Sequence, residues 1–554
     1  MKRTHLLAAC LIGTASLFVM RIADAASVAV TTTDPLSVAI EAVTTQQMHP
    51  EATGIRGAKL AWAALLQEFY AARGFRAAWR TGHAATELRR AITDSELEGL
   101  DPRDYHDSLL DSIAREAAAP DAPDTLRAEL DVLQTDALLR LGYHLAFGKV
   151  NPASFDAQWN YGRSAESLDA AKEIEAALAA DDVYARVQAL KPTHRLYGTL
   201  RELLTRYRAI AARGGWAAVP GGKVALKPGV RDERVPALRA RLLAEGLIAT
   251  SATSDVTLYD TVLDAGVRRF QSQNGLAADG TIGARTLEAL NVPVADRILQ
   301  LRVNLDRGRV LLQDLPRDFV VVNLAAFTIY LVQDDAVAWT SRVQVGKLYR
   351  RTPIFRSALN YLVLNPTWTV PPGIIENDIL PEARKGGVGA FTRRHLDVLD
   401  RSSKIVDPRS IDWKRYKSGN IPYTLRQEPG PQNALGQVKF MFPNAYSVYL
   451  HDTPSKALFD SDERVFSSGC VRVEKPLELA QRLLADQSKW SADSIRKALE
   501  AGKTQNITLA RRVPVLIAYW TAWVNDAGEN QFRRDVYGQD VQWATGLKAA
   551  FTGK

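Results

Sequence analysis

NAYSVYLHDTP, Asn444 to Pro454, and FSSGCVRVEK, Phe466 to Lys475, are the two stretches that decide how the C-terminal half of this chain reads. Each alternates apolar and polar residues, and in a strand alternate residues share a face. Tyr446, Val448 and Leu450 then form one apolar face, with Ser447, Tyr449 and His451 on the other. In the second stretch Val471 and Val473 point inward, while Cys470 and Arg472 share the polar face. If the two segments are neighbours, Tyr449, His451, Cys470 and Arg472 line one groove. A cysteine kept for packing belongs with the valines, and this one does not sit with them.

A thiol beside an imidazole is a nucleophile beside its base. The ring can lower the thiol pKa, take its proton and return it to a leaving amine. Ser467-Ser468-Gly469 makes a tight turn before Cys470, and the backbone N–H groups of Gly469 and Cys470 are candidates to hold a developing oxyanion. Arg472 is a candidate to bind a carboxylate or order the turn; the alternative is a solvated strand-edge charge. Tyr449 and Trp368 are candidates to line the groove, against the core role that strand aromatics more often fill. His395 is the other histidine beyond residue 300 and falls in a different segment.

The amino terminus gives the cysteine its context. Lys2 and Arg3 precede an apolar run from Leu6 to Met20 and then Ala23-Asp24-Ala25. This pattern predicts a secretory leader over 1–25, cut after Ala25. The run is shorter than the roughly 20 residues that span a bilayer, and no later stretch is long and apolar enough to do so. The expectation is an exported, periplasmic chain with no anchor after cleavage. Of the two cysteines, Cys10 leaves with the leader, so Cys470 is an odd thiol in an exported protein. The net charge of +8 over 554 residues is mild and spread out. It suits an acidic polymer or a membrane surface, and no basic patch interleaved with aromatics argues for nucleic acid. The catalytic half holds no cluster with metal-ligand spacing; neither a metal nor a cofactor is expected.

Three regimes follow a linker over 26–54. Residues 55–216 carry apolar residues at helical spacing, as in RAELDVLQTDALLRLGYHLAFG, and read as a helical scaffold without chemistry of its own. Tyr143 and His144 there read as packing or cap residues. Residues 226–292 read as three short helices with a tight turn at Asp279-Gly280. Residues 317–502 read as strands, interrupted over about 372–442 by a charged, Gly- and Pro-containing insertion whose apolar content suggests a folded lid. GGVGAF within it follows no strand and is rejected as a nucleotide loop. Residues 503–554 read as strands and a tail packing on the scaffold or the catalytic domain. The fold class is multidomain α+β.

RRFQSQNGLAADGTIGART resembles the small three-helix peptidoglycan-binding domain. HDTP followed by SSGCVR resembles the L,D-transpeptidase signature, a histidine upstream of S-x-G-C-[IV]-R. The flanking VGKLYRRTPIF, LNPTWTVPPGIIENDILP and LRQEPGPQNALGQVKFMFPN are similar to its larger YcbB-like branch. That branch carries a helical scaffold, a peptidoglycan-binding domain and a lid inserted in the catalytic domain. Asp452 stands where many members of the broader family have glycine.

The resemblance implies that Cys470 attacks the carbonyl of the third residue of a tetrapeptide stem and releases D-alanine. The resulting thioester passes to the side-chain amine of a neighbouring stem, giving a 3→3 cross-link. It further implies acylation by carbapenems, stem peptides and glycan strands as partners, and wall-synthesis enzymes as candidate partners. Two rival readings stand beside it. One is a carboxypeptidase or other cysteine wall hydrolase using the same pair with water. The other is a non-catalytic wall-binding protein.

Overall fold

In the computed structural model, residues 34–156, 159, 170–249, 255–313 and 315–551 are described. The expected leader and Cys10 lie outside them. Among the described residues no helix is long and apolar enough to cross a membrane.

The C-terminal half is built on fourteen strands. The first four are β1 (Phe319–Asn323), β2 (Thr328–Gln333), β3 (Ala336–Gly346) and β4 (Phe355–Leu364). Next come β5 (Trp368–Thr369), β6 (Asp397–Leu399), β7 (Thr424–Gln427) and β8 (Val438–Met441). The site-bearing strands are β9 (Leu450–His451), β10 (Val465–Ser467) and β11 (Val471–Val473). The last are β12 (Gln505–Ala518), β13 (Ala522–Val524) and β14 (Asn530–Phe532). Nine strands form one sheet in the order β10-β3-β11-β9-β8-β4-β12-β1-β2, and a further β2–β3 pairing closes it on itself. Alternation in β1, β4 and β12 sends Val320, Val322, Leu362, Val515 and Ile517 into one core. That core also takes Leu200 and Leu204 of the Arg195–Ala212 helix and Leu301 and Leu305 of the Val294–Leu311 helix. Helices and sheet are thereby fused through shared apolar burial rather than joined by a linker.

Several boundaries differ from the sequence reading. The expected linker contains a helix, Pro35–Gln46. Asp34 caps it by accepting from Ser37 N–H, proline occupies its first turn, and Ile40 is buried against the helical core. The 226–292 unit draws Val219 into its core, because the Asn291 side chain bonds both Val219 N–H and its carbonyl. The insertion expected over 372–442 instead has its own small sheet, β5-β7-β6, and its own apolar cluster from Val370 to Leu425. Val438–Met441 belongs to the main sheet, where Val438 and Phe440 are buried. The main sheet also runs past residue 502. β12 pairs with β4 on one side and β1 on the other, since its VPVLIA run is apolar enough for an interior strand.

Candidate active site

His451 lies on β9, and Cys470 immediately precedes β11, its neighbour in the sheet. β9 and β11 are parallel, with Leu450 opposite Val471 and His451 opposite Arg472. β8 lies antiparallel on the other side of β9, with Phe440 opposite Leu450 and Lys439 opposite His451. β3 follows β11, with Gln344 opposite Arg472. Phe440, Leu450 and Val471 are buried in the core. On the reverse face Lys439, His451, Arg472 and Gln344 therefore form a row across four strands, with Tyr449 and Cys470 at its end.

Regular strand covers less of Asn444–Pro454 than alternation suggests. Only Leu450–His451 is strand, and Ser447 has φ +56°. The cause is Asn444. Its side-chain oxygen accepts from Tyr446 and Val448 N–H, and its amide donates to the Phe442 and Val448 carbonyls. This turn still leaves Val448 and Leu450 buried, and it aims the Ser447 carbonyl at Cys470, whose Sγ donates to it at 3.7 Å.

Cys470 is half-buried. Its turn is held by Ser467, whose hydroxyl donates to the Cys470 carbonyl and accepts from Gly469 N–H at 3.1 Å. Gly469 has φ +120°, a conformation that disfavours any side chain. The Gly469 N–H is thus already used, which corrects its assignment as an oxyanion donor. The Cys470 N–H has no partner among the described residues and remains a candidate. Ser468 is exposed and accepts from Arg350 at 3.1 Å; Arg350 also grips Asp378 of the insertion with both terminal nitrogens.

His451 is buried and its Nδ1 donates to the Asp452 carbonyl. That bond fixes the tautomer and leaves Nε2 with a lone pair. Burial, with Arg472 and Lys439 near, pushes the imidazole down to about 3. Burial also pushes the Cys470 thiol up, against the downward pull of Tyr449, Arg472 and Lys439. The expected lowering of the thiol by the ring is therefore not found, because burial outweighs it: thiol and imidazole are both neutral. Asp452 fills the position where glycine is common. Its carboxylate accepts from Gln437 N–H and Lys456 while its backbone carbonyl orients the ring, so the side chain leaves that role intact. Gly436 makes room for it, since a Cβ there would come within 2.3 Å of the Asp452 carboxylate.

Tyr449 packs its ring 5.6 Å from that of His451, and burial pushes its hydroxyl pKa up while Trp368, lying near it, pulls it back. Trp368 therefore reaches the groove from the insertion, while also packing on the insertion's own core. Arg472 donates to Gln344 at 3.2 Å. Sequence reasoning missed Lys439 and Arg350. Lys439 was legible by parity, since Val438 and Phe440 face inward. The Arg350–Asp378 pair spans two segments with no periodicity to connect them.

Comparisons bear on this geometry. Residues 317–510 match the family model of the L,D-transpeptidase catalytic domain, 64–204 that of a scaffold domain, and 231–290 that of a "Putative peptidoglycan binding domain". A Haemophilus influenzae protein named "Putative L,D-transpeptidase" is 37% identical over 246 residues, covering 44% of this chain and 48% of that protein. The chain thus matches about half the length of that relative. A crystal structure of an L,D-transpeptidase from Xylanimonas cellulosilytica is 16% identical, covers 54% of this chain and 100% of its own, and superposes with a TM-score of 0.17, too low to bear on the fold. Residues 317–510 therefore belong to the L,D-transpeptidase catalytic-domain family, in a chain that also carries a scaffold domain and a peptidoglycan-binding domain.

Proposed function

We propose that this protein is a cysteine acyltransferase that cross-links peptidoglycan stems outside the cytoplasm. Cys470 Sγ attacks the carbonyl of the third residue of a tetrapeptide stem, and His451 Nε2 accepts the thiol proton as the S–C bond forms. Charge develops on the carbonyl oxygen, where the Cys470 N–H is free to meet it. The C–N bond then breaks, the imidazolium returns its proton to the leaving amine, and D-alanine departs. The amine of a second stem attacks the thioester, His451 again taking the proton, and thiol and 3→3 amide result. One amide is exchanged for another, so no energy source is needed.

The observation that carries this reading is the tethered, neutral His451 on the strand paired with the one that Cys470 leads into. A base held neutral down to about pH 3 is unprotonated at any pH where the wall is built. With thiol and ring both neutral, proton transfer is coupled to attack rather than preceding it. The insertion supports transfer to an amine over transfer to water, because Trp368 and the Asp378–Arg350–Ser468 bridge bring it against the nucleophile turn.

Incubation with purified tetrapeptide muropeptides tests the proposal. Dimers in which tripeptide is joined to an acceptor stem, absent with Cys470→Ala, are the expected result. Free D-alanine and tripeptide alone identify a carboxypeptidase. Full cross-linking by Cys470→Ala identifies a wall-binding protein without this chemistry.

A further inference from the structure

The row of side chains beside Cys470 contains two cations and no anion. Lys439 is half-buried on β8, in register with His451, and its Nζ lies 5.6 Å from the centre of the Tyr449 ring. It forms no ion pair and no hydrogen bond among the described residues. Arg472, two strands away in the same row, has one hydrogen bond, to the neutral Gln344, and its Nε is buried without a partner. Several buried arginines elsewhere are paired with carboxylates, Arg309 with Asp306, Arg307 with Asp540 and Arg241 with Glu245, whereas Arg297 is held by neutral groups alone. Desolvation lowers the pKa of both Lys439 and Arg472, and a charge on Cys470 would raise them again. Two part-desolvated like charges on rigid strands are unfavourable unless an anion arrives to share them.

The acyl donor supplies such an anion. In the reaction proposed above, on which this inference rests, the leaving residue carries its carboxylate on the carbon next to the departing nitrogen. That places the carboxylate a few atoms from Sγ. We propose that Lys439 and Arg472 form a subsite for this carboxylate, and that Lys439 is a specificity-determining residue selecting donors with a free carboxylate one residue beyond the scissile carbonyl. A planar guanidinium and a mobile ammonium grip a carboxylate from two sides. A neutral or extended C-terminus has nothing to offer Lys439.

Alkylation of Cys470 tests the subsite without turnover. The same thiolate attacks iodoacetate and iodoacetamide, displacing iodide from each, so their rate ratio cancels the thiol pKa and reads the preference for a carboxylate. The wild-type ratio is expected to favour iodoacetate and to fall about tenfold in Lys439→Gln, the size of effect one charge-assisted contact gives. Lys439→Arg should keep most of it. A wild-type ratio favouring the amide, or one unchanged in Lys439→Gln, overturns the subsite. In a second arm, wild type should be acylated by a tetrapeptide carboxylate faster than by its C-terminal amide, and Lys439→Gln should lose that discrimination; equal discrimination in both proteins overturns the selectivity. If no dimers form but the alkylation ratio behaves as expected, the acyltransfer reading fails and the anion subsite survives.

Discussion

Two polar clusters in this molecule handle charge in opposite ways. At the helix–sheet junction Asp306 is buried and satisfied. One oxygen accepts from Lys149 N–H and Arg309, the other from Val150 N–H and the Trp543 indole. Arg309 completes its fork with the Tyr197 hydroxyl and the Glu98 carbonyl. In the groove, Lys439 and Arg472 have no carboxylate, the Cys470 N–H has no acceptor, and His451 keeps one nitrogen open. The first cluster spends its hydrogen-bonding capacity on holding helices to the sheet. The second leaves capacity unspent beside Cys470. Buried polar groups are normally satisfied, and those left unspent around Cys470 lie together on one face of the sheet, where a ligand would meet them.

Substitutions in each cluster sharpen this contrast. Cys470→Ala should lower cross-linking by roughly a thousandfold or more and fail to form the carbapenem adduct that wild type is expected to show by intact mass, with thermal stability nearly unchanged. His451→Gln should cost about a hundredfold or more in acylation rate, read by the same adduct. A His451→Gln protein acylating at the wild-type rate would remove the base from the mechanism. Asp306→Ala should do the reverse of Cys470→Ala, destabilising by about 3–5 kcal/mol in urea because it strands a buried arginine. The protein that remains folded should keep its iodoacetate preference. If it does not, the two clusters are coupled and the contrast fails.

Arg350→Ala should slow acylation by roughly tenfold, and Asp378→Ala should add little on top of it, since both cut one bridge. Additive effects would mean that the insertion does not act on the turn through Arg350. The smallest effect concerns pH. The folded site holds His451 below its ordinary value of 6.5, so the unfolded chain takes up a proton that the folded chain refuses. Stability from the neutral ring is complete above pH 6.5 and declines as pH falls from there toward 3. Urea titrations across that window should show this slope in wild type and not in His451→Gln.

Much of the groove could be read from residues alone. Cys470 opposite in parity to Val471 and Val473, and His451 opposite to Leu450, needed only the two-residue period of a strand, and both apolar sets are in the core. The three-helix unit was legible because Leu263, Val267 and Phe270 fall on one helical face. The Asp34-Pro35 cap in the supposed linker was also legible but went unread. The edges of the insertion were not. Nothing in VKFM itself says whether it pairs with β4 of the main sheet or with the insertion's own strands.

The sequence by itself determined which faces carry chemistry, because side-chain alternation is a local property of the backbone. Only the tertiary structure decided which of those groups are spent and which are free. Whether Gly469 N–H is taken by Ser467, whether His451 is neutral, and whether Lys439 has a counter-ion depend on neighbours brought from distant segments. Burial and pairing belong to the assembled fold rather than to any one stretch of chain.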